Sequence, residues 1–233
     1  MKKINWFRVV AAILAAVLGI SIALGCINSH KASGAASYVD RTKAVVITDS
    51  YGGRDYSEGN LYWILTTCFN CNISQYEYCN GHGFNANRGE WASWVDRLEQ
   101  DFKSDKTVGQ VIVIGGYNDI NNPRCDNIYH NACDFIETAH KKFPNAKVKL
   151  VCVGHKPDCD PTRNLGIEET VKGLWYAATE NYSYAYYIWN ADTVLQDSEF
   201  MADKIHPTDR GCYDIGAKVT FMIKNDVTFF FED

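Results

Sequence analysis

Four short apolar runs, rich in β-branched residues, constrain the fold of this chain more than any other feature of its sequence. They cover residues 44–47, 111–114, 147–153 and 185–189. Continuous apolar runs of this length are typical of strands that are buried on both faces of a parallel sheet. The active or binding site of such a sheet lies beyond the carboxyl ends of its strands.

Segments with helical spacing separate these runs. Apolar residues recur in them at intervals of three and four positions, which is typical of one face of a helix. The three stripes are Trp91, Trp94, Val95, Leu98 and Phe102; then Leu165, Val171, Leu174, Trp175 and Ala178; and finally Cys212, Ile215, Val219, Met222 and Ile223. The alternation predicts an α/β fold, with a parallel sheet covered by helices on both faces. The polar stretch 70–88, rich in Gly and Asn, is predicted to be a loop over the site.

The first 37 residues have a different composition from the rest of the chain. Three basic residues at positions 2, 3 and 8 precede an uncharged stretch at 9–25, which is the pattern of a secretory signal. This stretch is at the lower limit of length for spanning a bilayer. We interpret residues 1–37 as a signal peptide or N-terminal membrane anchor with a short linker, and residues 38–233 as one domain.

The end of this segment leaves three alternatives open. The tetrapeptide at 23–26 resembles a bacterial lipobox, in which Cys26 would carry a lipid after cleavage. The small residues at 32–36 offer an ordinary cleavage site, and an uncleaved anchor is the third alternative. All three place the domain outside the cytoplasm, either secreted or anchored to the outer face of the cell membrane.

The charge composition indicates which partners are not expected. The net charge is -5, and the Lys and Arg residues are scattered without forming a basic stripe. A nucleic-acid partner is therefore not expected, because such proteins need clustered positive charge along the phosphate backbone. Contact with a membrane is expected only through the N-terminal segment.

Eight of the nine cysteines follow the N-terminal segment. An even number of cysteines in an exported domain favours disulfides. The pairs that lie close in sequence are Cys125 with Cys133 and Cys152 with Cys159, and we predict that these form disulfides.

Four of the same residues allow a different interpretation. Cys68, Cys71, Cys79 and His82 follow the spacing C-x2-C-x7-C-x2-H, and sets of this kind can bind zinc. The middle spacer is shorter than in common zinc modules, and export favours oxidation of the thiols. We therefore expect no metal, and keep a zinc module as an alternative.

Ser50 stands directly after the first apolar run, in the sequence Thr48-Asp49-Ser50, and before two glycines that allow a sharp turn. A serine hydroxyl at the edge of a sheet can act as a nucleophile if a base removes its proton. Capping of a helix is the alternative role of such a serine.

His206 is the candidate base. Pro207 follows it and disfavours the α conformation at His206, so the histidine is expected in an extended turn before the last helix. Asp203, three residues earlier, can accept a hydrogen bond from the imidazole and stabilise the imidazolium as it forms.

Two further motifs contain candidate donors for a developing oxyanion. Gly116-Tyr117-Asn118-Asp119 follows the second apolar run, so that the Asn118 amide can point into the cleft. The second motif is the glycine-rich stretch 80–84, where the backbone N–H of Gly81 or Gly83 could donate.

These motifs together resemble the conserved blocks of the SGNH hydrolases, also called GDSL-like lipases, acylhydrolases or esterases. Asp49-Ser50 resembles the first block, Gly116-x-Asn118-Asp119 the third and Asp203-x-x-His206-Pro207 the fifth. The chain departs from the family at Thr48, where the family has Gly, and its second block is ambiguous. The resemblance spans residues 43–224, nearly the whole domain.

The resemblance implies a three-layer α/β/α fold with a flavodoxin-like, doubly wound parallel sheet. It also implies a serine esterase whose catalytic residues are Ser50, Asp203 and His206 and which needs no cofactor. The oxyanion hole would consist of Ser50, Gly81 and Asn118, with Gly83 as the alternative to Gly81. We further expect the substrate to be bound by Gly83, Tyr117 and Asp119.

The expected substrate is an acyl ester, in the first place an acetyl ester, of a carbohydrate, a lipid or a small molecule. Two alternatives stay open on the same fold. One is a protein that binds carbohydrate or envelope components without catalysis. The other is an O-acyltransferase, in which an alcohol replaces water as the acceptor.

Overall fold

The computed structural model describes residues 38–52, 60–201 and 203–228. The predicted signal or anchor segment, with Cys26, lies outside these residues. Among the described helices, none combines the length and the apolar character that crossing a bilayer requires.

A parallel sheet of five strands forms the centre of the domain. Its strands are β1 (Asp40–Thr48), β2 (Ile73–Tyr78), β3 (Val108–Gly115), β4 (Lys147–Cys152) and β5 (Ala185–Tyr187). Their order across the sheet is β2-β1-β3-β4-β5, and every neighbouring pair is parallel. The four predicted strands are confirmed, with ends that differ by a few residues from the apolar runs.

Strand β2 corrects the prediction that residues 70–88 form a loop. It is an edge strand that pairs only with β1, and its residues are partly exposed. An edge strand needs no continuous apolar run, so its sequence, Ile-Ser-Gln-Tyr-Glu-Tyr, resembles a polar loop.

Helices cover both faces of this sheet. They are α1 (Leu61–Trp63, continued by a π-helical turn at Ile64–Cys68), α2 (Trp94–Asp101), α3 (Tyr117–Asn121), α4 (Cys125–Lys142), α5 (Leu165–Thr179) and α6 (Asp209–Asn225). Short 3₁₀ turns occur at Ser50–Gly52, Ala191–Val194 and Asp197–Glu199. The last two predicted helices are confirmed as α5 and α6.

The prediction was incomplete for the helices in the first half of the chain. Trp91 does not belong to helix α2: it precedes the helix and is 67% exposed. Helix α4 was not predicted, and it contains both Cys125 and Cys133.

Alternate residues of the strands point into two separate cores. Val45 and Ile47 of β1 pack in one core with Trp94 and Trp175, which belong to helices α2 and α5. Val46 of β1 packs in the other core, which the residues of helix α6 complete. The domain is therefore a three-layer α/β/α structure, as predicted.

The order of the strands determines where a site can form. The chain runs from β1 outward to β2, and then crosses back to β3 on the other side of β1. The direction of winding therefore reverses between β1 and β3. In doubly wound sheets a crevice opens at such a switch point, beyond the carboxyl ends of the strands. Ser50 is the second residue after β1, and Gly116 directly follows β3.

Buried charges attach the end of helix α6 to the central strands β3 and β4, near the amino ends of these strands. Lys149 of β4 is fully buried, and its ammonium group contacts Gln110 Oε1 at 2.9 Å and Asp226 Oδ1 at 3.0 Å. Asp226 directly follows α6 and also contacts Lys147 at 2.7 Å. Burial lowers the pKa of Lys149, and Asp226 opposes this shift. Because α6 begins shortly after His206, this attachment also supports the position of the histidine.

We predict that Asp226→Asn destabilises the protein by about 3 kcal/mol, because it leaves the buried Lys149 ammonium without a negatively charged partner. Lys149→Met should cost less, since an apolar side chain of similar length replaces the charge itself. Asp105→Asn is the control, because it removes a more exposed ion pair with Lys43 and should cost about 1 kcal/mol or less. Unfolding in urea measures all three, and equal losses for Asp226→Asn and Asp105→Asn would contradict the account.

Candidate active site

The three residues predicted as a triad lie together at the switch point of the sheet. The Ser50 Oγ is 3.1 Å from His206 Nε2, and His206 Nδ1 is 2.8 Å from Asp203 Oδ2. Ser50 and His206 are 156 positions apart in the chain. The structure thus forms a continuous hydrogen-bonded relay from a hydroxyl through an imidazole to a carboxylate.

The Asp203 carboxylate is held by the turn that also carries the histidine. Its Oδ1 accepts the backbone N–H groups of Ile205 and His206, each at 3.1 Å. Burial by itself would raise the pKa of Asp203, but the hydrogen bonds from the ring and backbone of His206 outweigh it and lower the pKa to about 2. The carboxylate is therefore ionised at neutral pH and can orient the imidazole.

The orientation of the ring follows from this contact. An imidazole that donates its Nδ1 proton to a carboxylate presents Nε2 as an acceptor. That nitrogen faces the Ser50 hydroxyl, which is the arrangement that proton transfer from the serine requires.

Backbone pairing fixes the loop that carries Asp203 and His206. Phe200 and Pro207 form an isolated antiparallel bridge, and Met201 N donates to the His206 carbonyl at 2.8 Å. Thr208 then caps helix α6 by accepting the N–H of Gly211 at 3.3 Å. The histidine is thus anchored between a bridge and a helix N-terminus.

A tight turn holds Ser50 on the other side of the relay. Asp49 Oδ1 accepts the N–H of Tyr51 at 3.0 Å, and Gly52 N donates to the Asp49 carbonyl at 3.1 Å. A Cβ on Gly52 would lie 1.8 Å from Oγ1 of Thr48. Gly52 therefore gives Thr48, which departs from the family pattern, the space for its side chain.

The two candidate glycines of the oxyanion hole differ in the structure. Gly81 has φ 71° in the turn that His82 N closes on the Cys79 carbonyl, and its own N–H has no acceptor in the described ranges. The N–H of Gly83 already donates to the Ala92 carbonyl at 3.3 Å. This difference favours Gly81, the glycine preferred in the sequence.

Asn118 is held near the same loop. Its Nδ2 donates to the His82 carbonyl at 2.8 Å, which ties helix α3 to the segment containing Gly81. A side-chain amide has a second N–H, so this contact positions the group and leaves one donor.

Two of the three residues predicted to bind substrate, Gly83 and Asp119, pack against each other in the interior of the domain. Asp119 is fully buried, and its oxygens accept from Asn85 N and Trp175 Nε1, both at 2.9 Å. Gly83 is also buried, and a Cβ there would lie 2.3 Å from Asp119 Oδ1. Gly83 is therefore needed so that the loop can pack against the Asp119 carboxyl group. Contact of these two residues with substrate stays a prediction.

The third residue, Tyr117, lies beside the relay. It is nearly buried, and its ring centre is 6.3 Å from that of Tyr51, whose ring is 6.4 Å from His206. A role of Tyr117 in binding substrate stays a prediction.

Asp49 and Asp119 are both fully buried, and the sequence contains no indication of this burial. Burial, assisted by the charge of Asp119, raises the pKa of Asp49 to about 7 against the hydrogen bonds from the backbone N–H groups of Tyr51 and Gly116. Burial likewise raises the pKa of Asp119 to about 7. The sequence does place Asp49 directly before the candidate serine, and this was the available signal for a role at the site. It does not show that the Asp49 side chain is fully buried.

The predicted disulfides are not formed in the structure. Cys125 and Cys133 are free thiols on one helix, eight positions apart, which separates them by about 12 Å along its axis and excludes a disulfide. Cys152 is buried at the end of β4, whereas Cys159 is an exposed free thiol.

The alternative zinc set is not assembled either. Cys71 contributes to one core of the sheet and Cys79 to the other, and Cys71 Sγ contacts Thr220 Oγ1 at 3.4 Å. No cluster of three or more His, Cys, Asp or Glu side chains with metal-binding geometry occurs within residues 38–52, 60–201 and 203–228.

Solved structures with the same architecture are numerous, and 39 chains match this one. A carbohydrate acetylesterase from Sinorhizobium meliloti has a TM-score of 0.59 and 14% identity, covering 79% of this chain and 99% of its own. A member of the lipolytic protein G-D-S-L family from Veillonella parvula has a TM-score of 0.53 and 21% identity, covering 78% and 98%. The psychrotrophic esterase EstA from Pseudoalteromonas has a TM-score of 0.55 and 12% identity, covering 79% and 97%.

No family model matches the sequence, and no curated protein matches it. At these identities the solved structures show the fold. The chain therefore has the three-layer fold of the SGNH hydrolases, and it combines that fold with a Ser-His-Asp relay at the switch point of the sheet.

We predict that Asp49→Asn changes how stability depends on pH. An ordinary aspartate titrates near 3.8, whereas the folded protein raises the pKa of Asp49 to about 7. The folded state therefore binds more protons than the unfolded state between these values, and the wild type loses stability as the pH rises through this window. The asparagine variant lacks this loss, so its stability relative to the wild type should improve by about 1 kcal/mol per pH unit between about pH 5 and 7.

Asp105→Asn is the control in the same urea titrations. The pKa of Asp105 is lowered to about 2, so its contribution to stability is lost only as the pH falls below about 4, and the difference from wild type should stay constant in this window. A constant difference for Asp49→Asn as well would show that Asp49 is ionised in the folded protein throughout.

Proposed function

We propose that this protein is a serine esterase that hydrolyses a carboxylic ester through an acyl-enzyme intermediate. The observation that carries the proposal is the relay of Ser50, His206 and Asp203, with a 3.1 Å contact between the hydroxyl and the imidazole. The esterases among the solved structures that share the fold support the same reaction class.

In the first step the Ser50 oxygen attacks the ester carbonyl, and its proton moves to His206 Nε2. The carboxylate of Asp203 stabilises the imidazolium, because its low pKa keeps it ionised. Collapse of the tetrahedral intermediate breaks the bond to the leaving alcohol, which receives the proton from His206.

In the second step water attacks the acyl-serine. His206 accepts a proton from the water and returns it to Ser50 as the acid leaves, so the enzyme regains its starting protonation.

The negative charge on the carbonyl oxygen needs donors that are already oriented. The backbone N–H groups of Ser50 and Gly81 have no acceptor in the described part of the chain, and Asn118 offers the second N–H of its amide. Donors of this kind each lower the barrier by about 3 kcal/mol. We assign these three groups to the oxyanion hole.

The proposed substrate is an acetyl or other acyl ester of a carbohydrate, with a lipid or a small molecule as the alternative carrier of the acyl group. The similarity in fold to the carbohydrate acetylesterase from Sinorhizobium meliloti supports the first choice. We also propose that residues 1–37 direct the domain out of the cytoplasm, as a secreted protein or one anchored to the outer face of the membrane, with Cys26 as the lipidation site of the lipobox alternative.

We predict that Ser50→Ala lowers the hydrolysis of 4-nitrophenyl acetate by at least about 10⁴-fold in kcat, because the nucleophile is lost while the fold is kept. The release of nitrophenolate measures the rate. Ser183→Ala replaces an exposed serine far along the chain and serves as the control with wild-type activity. Activity of Ser50→Ala close to that of the control would contradict the assignment of the nucleophile.

A further inference from the structure

An aromatic cluster lies at the open edge of the sheet, next to β5. We call Tyr176, Tyr187 and Trp189 the edge platform. The Trp189 ring lies 4.9 Å from Tyr176 and 5.0 Å from Tyr187, measured between ring centres. Tyr187 is nearly buried, whereas Trp189 is 51% exposed, so a fixed indole is presented to the solvent.

A cavity of about 320 Å³ lies beside the edge platform and is lined by charged groups as well as rings. The Lys172 ammonium contacts Asp192 Oδ2 at 2.5 Å and Glu169 Oε1 at 3.0 Å. The second oxygen of each carboxylate and the indole N–H of Trp189 have no hydrogen-bond partner in the described part of the chain. The cavity thus combines an apolar ring surface with free hydrogen-bonding groups around it.

This combination restricts the kind of ligand. A cage for a quaternary ammonium group needs a gap between the rings. Here the rings pack directly on each other, and the Lys172 ammonium already neutralises the carboxylates of Glu169 and Asp192 through one oxygen of each. A purely apolar ligand would leave the charged groups without partners.

A sugar ring satisfies both parts of the surface. The C–H groups on one face of a pyranose carry partial positive charge and pack against the negative face of an indole. Its hydroxyl groups lie at the rim of the ring, where the free oxygens of Asp192 and Glu169 can accept from them. The cavity volume is at the lower end of the range for small-molecule sites, which suits one sugar unit.

The position of the cavity shows how such a sugar relates to the relay. Trp189 follows β5 and Ser50 follows β1, so both lie beyond the carboxyl ends of strands. Strands β1 and β5 are separated by β3 and β4, which places them about 14 Å apart across the sheet. A sugar on the edge platform is therefore too far from Ser50 to carry the ester that reacts.

We propose that the edge platform is a non-catalytic subsite for a sugar unit of an acylated polysaccharide, whose ester on another unit of the same chain reaches Ser50. This inference rests on the proposed esterase function and names the substrate class: a polymer rather than a free acylated sugar. Binding at a distance increases the local concentration of the ester at Ser50 without changing the chemical step.

The first experiment compares Trp189→Ala with the wild type on two substrates, acetylated xylan and 4-nitrophenyl acetate. Loss of the stacked ring should raise KM for acetylated xylan about tenfold with little change in kcat. The kinetics on 4-nitrophenyl acetate should be unchanged, because this ester does not reach the platform. Trp189→Phe keeps an aromatic face and should restore most of the affinity for the polymer.

Trp63→Ala is the control for loss of an exposed tryptophan, since Trp63 is 46% exposed and lies on helix α1. It should leave KM for acetylated xylan unchanged. Urea unfolding of each variant shows whether the domain still folds, and Trp189→Phe keeps the test usable if Trp189→Ala is unstable.

The second experiment measures binding without turnover. In the Ser50→Ala background, affinity electrophoresis in gels containing acetylated xylan or acetylated glucomannan should show retardation that Trp189→Ala removes and Trp63→Ala keeps. Unchanged KM and unchanged retardation on substituting Trp189 would overturn the subsite while leaving the esterase proposal intact. Retardation that depends on Trp189, in a protein that hydrolyses no ester, would support the subsite and reject the esterase.

Discussion

The parallel pairing of β1 with β3 is the constraint on which the candidate site depends. It brings the turn after Thr48 and the turn after Gly115 to the same edge of the sheet, although more than sixty residues separate them. Helix α6 then packs on one face of this sheet and places His206 opposite Ser50. A relay assembled in this way is sensitive to the whole fold, because only the packing of distant segments brings Ser50 to His206.

Two carboxyl groups close to the serine illustrate how the fold separates chemical roles. Asp203 lies in a partly exposed turn and accepts hydrogen bonds from the backbone and the imidazole, which keep its pKa low. Asp49 is enclosed between β1 and β3, and burial raises its pKa. The first group can therefore stabilise a positive charge on His206, whereas the second is a structural acid that supports the turn holding Ser50. Their residue type is the same, and only their surroundings distinguish them.

Sequence reasoning predicted the parts of the molecule whose signals are local or strongly patterned. The strands that are buried on both faces were predicted because their apolar runs are continuous, and the relay because its three motifs follow one another in a known order. Strand β2 was missed because an edge strand can be polar on both faces. Helix α4 was missed because its segment contains many Asn, Asp, His and Cys residues, although its buried residues Ile128, Phe135 and Ile136 fall on one face.

The burial of Asp119 and Gly83 and the separation of two cysteines were not visible in the sequence for the same reason. Asp119 and Gly83 belong to motifs that suggest contact with substrate, yet they pack against each other in the interior. Cys125 and Cys133 appeared close because they are close in sequence, but a helix separates them. Burial and distance arise from packing between segments, and the residue pattern of one segment does not contain them.

The most direct test of the account is covalent labelling with diisopropyl fluorophosphate, which phosphorylates a serine only when a neighbouring base activates it. Mass spectrometry of the digested protein should show one adduct, on the peptide that contains Ser50, and His206→Ala should slow its formation by at least about 100-fold. Labelling of a different residue, or labelling of Ser50 at the same rate without His206, would contradict the claim that the fold assembles these residues into a working relay.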